Sequence, residues 1–312
     1  MLSFLVRRIW QMIPTLAGVI LLVFFLFKYF GGDPAEILAG QLASPQRIES
    51  IRRQLGLDKP TIEQLWIFVQ KAVTFDWGRS WTTNEEISNI FRTRLPATLT
   101  IMAPILVLDM VLGTVAGMAV AYVRGSLTDR AVMVITTLAL SISFLVYVIV
   151  AQYIFAFRLG WFPVQGWSNS FWTNLLVFTP LPAMLAVLVG LAPNTRLYRT
   201  FFLDELGQDY VRTARAKGVP EKSIQIRHVL RNAMIPILTN VATQLPGIFI
   251  GSFLLEIFFS VPGLGREVYG AVNRSDYPVI QAVTIYLAVI TMVINLATDL
   301  MYKFVDPRVV FK

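Results

Sequence analysis

Apolar residues in this chain gather into six long runs, separated by stretches where charge, proline and glycine return. The runs cover roughly Ile9–Phe30, Leu95–Tyr122, Ala131–Phe157, Leu175–Leu197, Ile235–Phe258 and Val279–Phe304. A helix needs about 18 or more largely apolar residues to cross a bilayer. The pattern therefore predicts an all-α integral membrane protein with six spans. The first run follows Arg7 and Arg8, as in a signal peptide, but it is too long for that and no small-x-small cleavage site follows. It is expected to be an uncleaved anchor.

Between the first two runs, residues 31–94 show a shorter period. Ser44 and Pro45 precede Ile48, Ile51 and Leu55 at helical spacing, and Gly56 follows. That is an N-cap, a first-turn proline and a glycine stop. A second helix is predicted from Thr61 to about Val73, with Leu65, Trp66, Phe68 and Val69 on its apolar face. A third is predicted from Asn84 into the second span. The chain thus divides into 1–30, the first span; 31–94, a helical extracytoplasmic segment; and 95–312, a five-span core with a basic loop at 198–234.

Charge sets the orientation. Arg196, Arg199, Arg212, Arg215, Lys217, Lys222, Arg227 and Arg231 crowd in or beside the loop between the fourth and fifth runs. Arg7, Arg8, Arg124, Arg130, Lys303, Arg308 and Lys312 fall on the same side, whereas the short opposite loops hold Arg158, Arg266 and Arg274. Basic residues concentrate on the cytoplasmic side, so both termini and the 198–234 loop are expected in the cytoplasm. The positive-inside rule accounts for the net charge of +8 without a nucleic-acid partner.

Composition removes several activities. Hydrophobic residues make up 55% of the 312 positions and charged residues 15%, against about 25% charged in soluble domains. Without cysteine, and with His228 as the one histidine, there is no material for a thiolate or histidine-rich metal site or a histidine-based triad. No GxxxxGK[ST] loop is present, so ATP-driven work would require a separate ATPase.

The basic loop carries the most specific string, Asp209-Tyr-Val-Arg-Thr-Ala-Arg-Ala-Lys-Gly218. Helix formers, small residues at Thr213, Ala214 and Ala216, a glycine stop and then Pro220 predict a short helix able to pack closely against a partner. Leu206, Tyr210 and Ala214 share one face of a helix read as running from about Asp204 to Lys217, with Arg212 and Arg215 off that face. The alternative reading is a helix resting on anionic membrane lipid.

Other strings extend the likeness along the chain: Gly32-Asp33-Pro34-Ala35, Leu55 to Pro60, Leu95-Pro96-Ala97-Thr98-Leu99, Arg231 to Pro236, Pro262-Gly263-Leu264-Gly265-Arg266, Asp276-Tyr277-Pro278 and Asp306-Pro307-Arg308. Together these resemble the dipeptide, oligopeptide and nickel permeases of ATP-binding-cassette importers. Where importer permeases at large carry Glu-Ala-Ala, this chain has Arg212-Thr213-Ala214. Where the subgroup often has proline in the third span, it has Ser141-Ile142-Ser143-Phe144, which predicts a straighter span.

The resemblance implies a type I permease fold and a non-catalytic subunit. Its implied partners are a second homologous permease, two ATPase domains that bind ATP and Mg²⁺, and an extracytoplasmic substrate-binding protein. No cofactor is implied on this chain. It further implies that Leu206, Tyr210, Arg212, Thr213, Ala214, Arg215, Ala216 and Gly218 form the ATPase-coupling element. The implied cargo is a di- or oligopeptide or a peptide-like solute, with nickel or a nickel chelate as the alternative.

Asp109, near the centre of the second span, marks either a pathway position or a partner on another helix, since a charge there is costly. Glu256 and Asp299, nearer span ends, are expected to reach water. Gly113 and Gly117 form a small-xxx-small packing face. A gradient-driven secondary transporter using Asp109 is the rival of another class. It would show inverted repeats with paired broken helices, and the sequence shows neither.

Overall fold

A computed structural model describes residues 2–40 and 43–305. Asp306-Pro307-Arg308 and Lys312 lie outside the described residues. Helix α1 (Leu2–Phe30) is the first span. Three short helices follow: α2 (Pro34–Ala39), α3 (Pro45–Gln54) and α4 (Thr61–Thr74). The predicted cap at Ser44 and turn at Gly56 form as read. Ser44 accepts a hydrogen bond from the Arg47 amide, Asp33 caps α2 through the Ala35 amide, and Gly56 turns the chain with φ +68°. Asp33 also pairs with Arg52, tying α2 to α3.

Helix α5 (Ile87–Tyr122) has 36 residues. At 1.5 Å per residue it is about 54 Å long, so its first turns project beyond a hydrocarbon layer of about 30 Å. The third predicted span is two helices, α6 (Leu127–Ser141) and α7 (Phe144–Arg158), bent by 90°. The straighter span expected from the missing proline is therefore corrected. Ile142 and Ser143 adopt extended backbone, the Ser141 hydroxyl bonds back to the Thr137 carbonyl, and the Tyr147 hydroxyl donates to the Ala139 carbonyl. Serine hydroxyls compete for helix carbonyls, and Tyr147 satisfies one of those that the break releases.

The fourth span is α8 (Phe171–Phe178) and α9 (Pro180–Leu206), bent by 53° where Pro180 removes an amide donor. After α10 (Asp209–Ala216), α11 (Glu221–Ile250) is the fifth span. It starts earlier than expected and stops at Gly251, whose φ of +76° ends the helix eight residues short of Phe258. Short helices α12 (Phe253–Phe258) and α13 (Leu264–Asn273) lead to α14 (Tyr277–Val305), the sixth span. Among the described residues four helices are long and apolar enough to cross a membrane, or up to six spans if each bent pair is one.

Among the described residues, three buried clusters organise the bundle. One joins α1, α4 and α14 with the start of α5 through Phe24, Phe68, Trp77, Ile87 and Ile285. A second gathers Ile101, Val148, Leu185, Leu255 and Phe259 around α5, α7, α9 and α12. The third lies at the far end of α5, where Ala121, Tyr198, Phe202, Val211, Ile224 and Ile237 meet. Many large apolar residues remain exposed, among them Leu108, Leu112, Val134, Leu138 and Leu188. Such an outward surface matches a lipid or protein environment rather than water.

Candidate functional site

The α10 end of the bundle holds the residues singled out in the basic loop. Helix α9 stops at Leu206, and Gln208 is extended before α10 begins. The continuous helix expected from Asp204 to Lys217 is thus corrected to two helices with a break at Gly207–Gln208. Leu206 closes the long span, and Tyr210 and Ala214 of α10 join it against the third core cluster, beside fully buried Val211. The Tyr210 hydroxyl donates to Glu205 at 2.6 Å. Burial, and then that carboxylate, push its pKa up to about 12.

The opposite face of α10 presents Arg212, Thr213, Arg215 and Ala216, all exposed. Gly218 at φ +74° ends the helix in a Schellman turn: its amide bonds the Arg215 carbonyl, and the Val219 amide bonds that of Ala214. Arg215 then forks onto Glu221 at 3.1 and 2.6 Å, bridging α10 to the first turn of α11. The result is a short rod anchored between the ends of two spans, with small and basic residues facing outward.

A second polar joint supports this end. Asp129, at the start of α6, accepts two bonds from Arg199 of α9 at 2.8 and 2.7 Å, plus the Gly125 amide. Sequence reasoning uses Arg199 as an orientation marker and does not find this pair. Their separation of 70 residues gives no local periodicity to betray it. His228 is exposed on α11.

Within the bundle, α5 and α9 pack closely. A Cβ on Gly117 would lie 2.9 Å from the Tyr198 Cβ and 3.0 Å from the Arg199 amide nitrogen, and one on Gly113 would be 3.2 Å from the Tyr198 ring. The small-xxx-small face is therefore a helix-packing face. On the same interface Asp109 is buried, pairs with the Asn194 amide, and sits where a Cβ on Gly190 would come within 2.8 Å of its carboxylate. One Asp109 oxygen has no hydrogen-bond partner. Asp109 thus has its partner on another helix and is held between α5 and α9.

At the other end of α5, Glu256 is 1% exposed, which overturns the expectation that it reaches water. Its Oε1 accepts the Thr98 hydroxyl at 2.9 Å and its Oε2 the Arg266 amide at 2.7 Å, and the Gly265 amide also donates to it. The Thr98 hydroxyl in turn accepts the Leu264 amide at 2.8 Å. A Cβ on Gly263 would lie 2.4 Å from the Glu256 carboxyl carbon, so glycine is the residue that leaves space for this carboxylate. Burial pushes the Glu256 pKa up to about 7, outweighing the donors that pull it down. The Leu95–Leu99 and Pro262–Arg266 strings therefore meet at one carboxylate. Asp299 stays partly exposed and pairs with Arg8 at 2.9 Å.

Asp276 makes a comparable joint. It is fully buried and accepts the Ser80 and Thr82 hydroxyls and the Trp81 and Thr82 amides, which fastens the 80–82 loop to the start of α14. Among the described residues, no cluster of three or more His, Asp or Glu is placed to hold a metal ion.

Comparison with known proteins returns two family descriptions that together span nearly the whole chain. Residues 113–311 match the binding-protein-dependent transport system inner membrane component, and residues 1–102 match the N-terminal membrane component of such systems. The chain is 35% identical over 314 residues to a provisionally named peptide transport system permease protein of Brucella abortus (strain 2308), covering 99% of each chain. It is also 35% identical over 312 residues to the glutathione transport system permease protein GsiC of Escherichia coli (strain K12), covering 100% of each.

Proposed function

We infer that this chain, which belongs to the family of binding-protein-dependent transport system inner membrane components, is the multi-pass permease subunit of an ATP-binding-cassette importer of peptides or peptide-like solutes. It carries the type I permease fold of that family, and full-length likeness to peptide and glutathione permeases supports the cargo class. The subunit is non-catalytic. ATP and Mg²⁺ bind two partner ATPase domains, a second homologous permease completes the pathway, and a substrate-binding protein delivers cargo from outside. Basic residues crowd the α10 end and the N-terminus, which supports a cytoplasmic position for both termini.

The observation that carries the mechanical reading is the two-sided α10. Its Tyr210–Val211–Ala214 face is built into the bundle, and its Arg212–Thr213–Arg215–Ala216 face points outward. Small residues on that outer face allow an ATPase surface to approach the backbone, and the arginines suit an acidic groove rim. When two ATPase domains close around ATP, α10 moves with them. The move passes through Val211 and the Arg215–Glu221 fork into α9 and α11, and changes which side of the membrane the pathway opens to. Asp109 and Asn194 lie on the α5–α9 interface that such a rotation would load, and we place Asp109 as a positioning residue there.

Mild-detergent purification of the tagged chain, with mass spectrometry of what co-elutes, tests the assignment. Recovery of a second permease and of ATPases with Walker motifs is the expected result. The chain lacks cysteine, so Ala216→Cys adds a single thiol on the outer face. It should cross-link to the ATPase, while Val211→Cys should not. A chain that elutes alone, with Ala216→Cys uncross-linked, would contradict the proposal.

A further inference from the structure

The cavity between the end of α1, helices α2–α4 and the start of α14 has no part in the reading above. It measures about 600 Å³, within the range of pre-formed small-molecule sites. Its wall is aromatic, including Phe27, Trp77 and Tyr277, and besides Arg52 three cations line it: Lys28, Lys71 and Arg79.

None of these three cations meets a carboxylate among the described residues. Lys28 donates to the Thr61 hydroxyl and the Gln64 carbonyl, each at 3.0 Å, and stands 5.7 Å from the Phe24 ring centroid. An ammonium has three protons to donate, so one remains for a further acceptor. Arg79 donates to the Asn84 carbonyl. Arg52, also in the wall, is already neutralised by Asp33 and Glu49. The cavity therefore carries an excess of positive charge over an apolar floor.

Its height in the molecule indicates which kind of anion suits it. The apolar run of α1 ends at Phe30 and that of α14 begins beside Tyr277, and the cavity is lined from both ends. It lies at the level where hydrocarbon gives way to water, the level of phospholipid headgroups and of tyrosine and tryptophan belts.

We propose that this cavity is a binding site for an anionic phospholipid, its phosphate held by Lys28, Lys71 and Arg79 and the first methylenes of its chains against Phe27, Trp77 and Tyr277. A lipid seated there bridges the first span, the 31–94 segment and the last span, and becomes a structural element of the permease.

Native mass spectrometry of the full chain, titrated in mild detergent with phosphatidylglycerol, phosphatidylcholine or inorganic phosphate, tests the site. One saturable phosphatidylglycerol per chain is expected, retained better than phosphatidylcholine. At about 1 kcal/mol per basic residue, Lys28→Gln should weaken it about fivefold and K28Q/K71Q/R79Q together about a hundredfold. Leu57→Trp, which puts a bulkier side chain in the cavity wall and leaves Lys28, Lys71 and Arg79 in place, should also weaken retention. Equal retention by the triple variant, or no preference over phosphatidylcholine, would overturn the proposal. Inorganic phosphate binding as tightly as the lipid would overturn the lipid assignment in favour of a small-anion site. Elution volume and thermal midpoint establish that each variant is folded. Should the triple variant fail to fold, Leu57→Trp and the lipid comparison on the native chain decide the matter.

Discussion

Replacing Glu256 by alanine should release the α12–α13 segment from the end of α5. The carboxylate receives the Thr98 hydroxyl, the Arg266 amide and the Gly265 amide, and the same threonine oxygen holds the Leu264 amide. Alanine leaves three donors without an acceptor in a site that is 1% exposed. A buried unsatisfied donor costs about 1–3 kcal/mol. Water admitted into the vacated space offsets part of that, so the low end, about 3 kcal/mol in all, is the expectation. At 1.4 kcal/mol per factor of ten, local opening should rise about a hundredfold. Hydrogen–deuterium exchange of the segment spanning 259–268 reads this directly, with core segments of α9 as the internal control. Glu256→Gln, which keeps the volume and one acceptor oxygen, should give a much smaller rise. Unchanged exchange in Glu256→Ala would refute the reasoning, as would equal exchange in the alanine and glutamine variants.

The same joint should respond to pH. The folded pKa of Glu256 is raised to about 7, so its contribution to stability is complete below the ordinary glutamate range and is lost as pH rises through about 7. Exchange of 259–268, corrected for intrinsic rate, should increase across that interval and become flat in Glu256→Gln. Gly117→Ala should lower the thermal midpoint in detergent, at a cost of about 1–3 kcal/mol, because its methyl meets the Tyr198 Cβ and the Arg199 backbone. Gly18→Ala, with nothing within 4 Å of the new atom, should not. Gly218→Val forces a β-branched residue to φ +74°, at about 1–2 kcal/mol. It should leave the protein inserted in the membrane but reduce transport; normal uptake by this variant would remove α10 from the coupling route.

The spans were legible because bilayer thickness imposes a length and a composition that few other folds share. The cap at Ser44 and the turn at Gly56 were legible because their chemistry is local. The bend at Ile142 and Ser143 was not, since it depends on Tyr147 reaching back to a carbonyl released by the break. The break at Gly207–Gln208 was also hidden: Leu206, Tyr210 and Ala214 keep helical spacing across it, and the common core that they contact restores the periodicity. Glu256 misled the reading because it sits near the end of the fifth apolar run but is sealed by Thr98 and by a loop ten residues ahead. The Arg199–Asp129 and Asp276–Ser80 joints share that difficulty, as tertiary pairs between residues that carry no pattern on their own. The strings behind the family resemblance were legible as text before their purpose was. The structure shows that Leu95–Leu99 and Pro262–Arg266 are two halves of the Glu256 joint, and that Asp276-Tyr277-Pro278 fastens the 80–82 loop.

The most direct test of the central claim is peptide uptake into proteoliposomes that contain the chain with its co-purified subunits and a saturating binding protein. The account predicts uptake that requires internal-face ATP and Mg²⁺ and is indifferent to a collapsed proton gradient. Uptake driven by a proton gradient without ATP, and lost in Asp109→Asn, would contradict it.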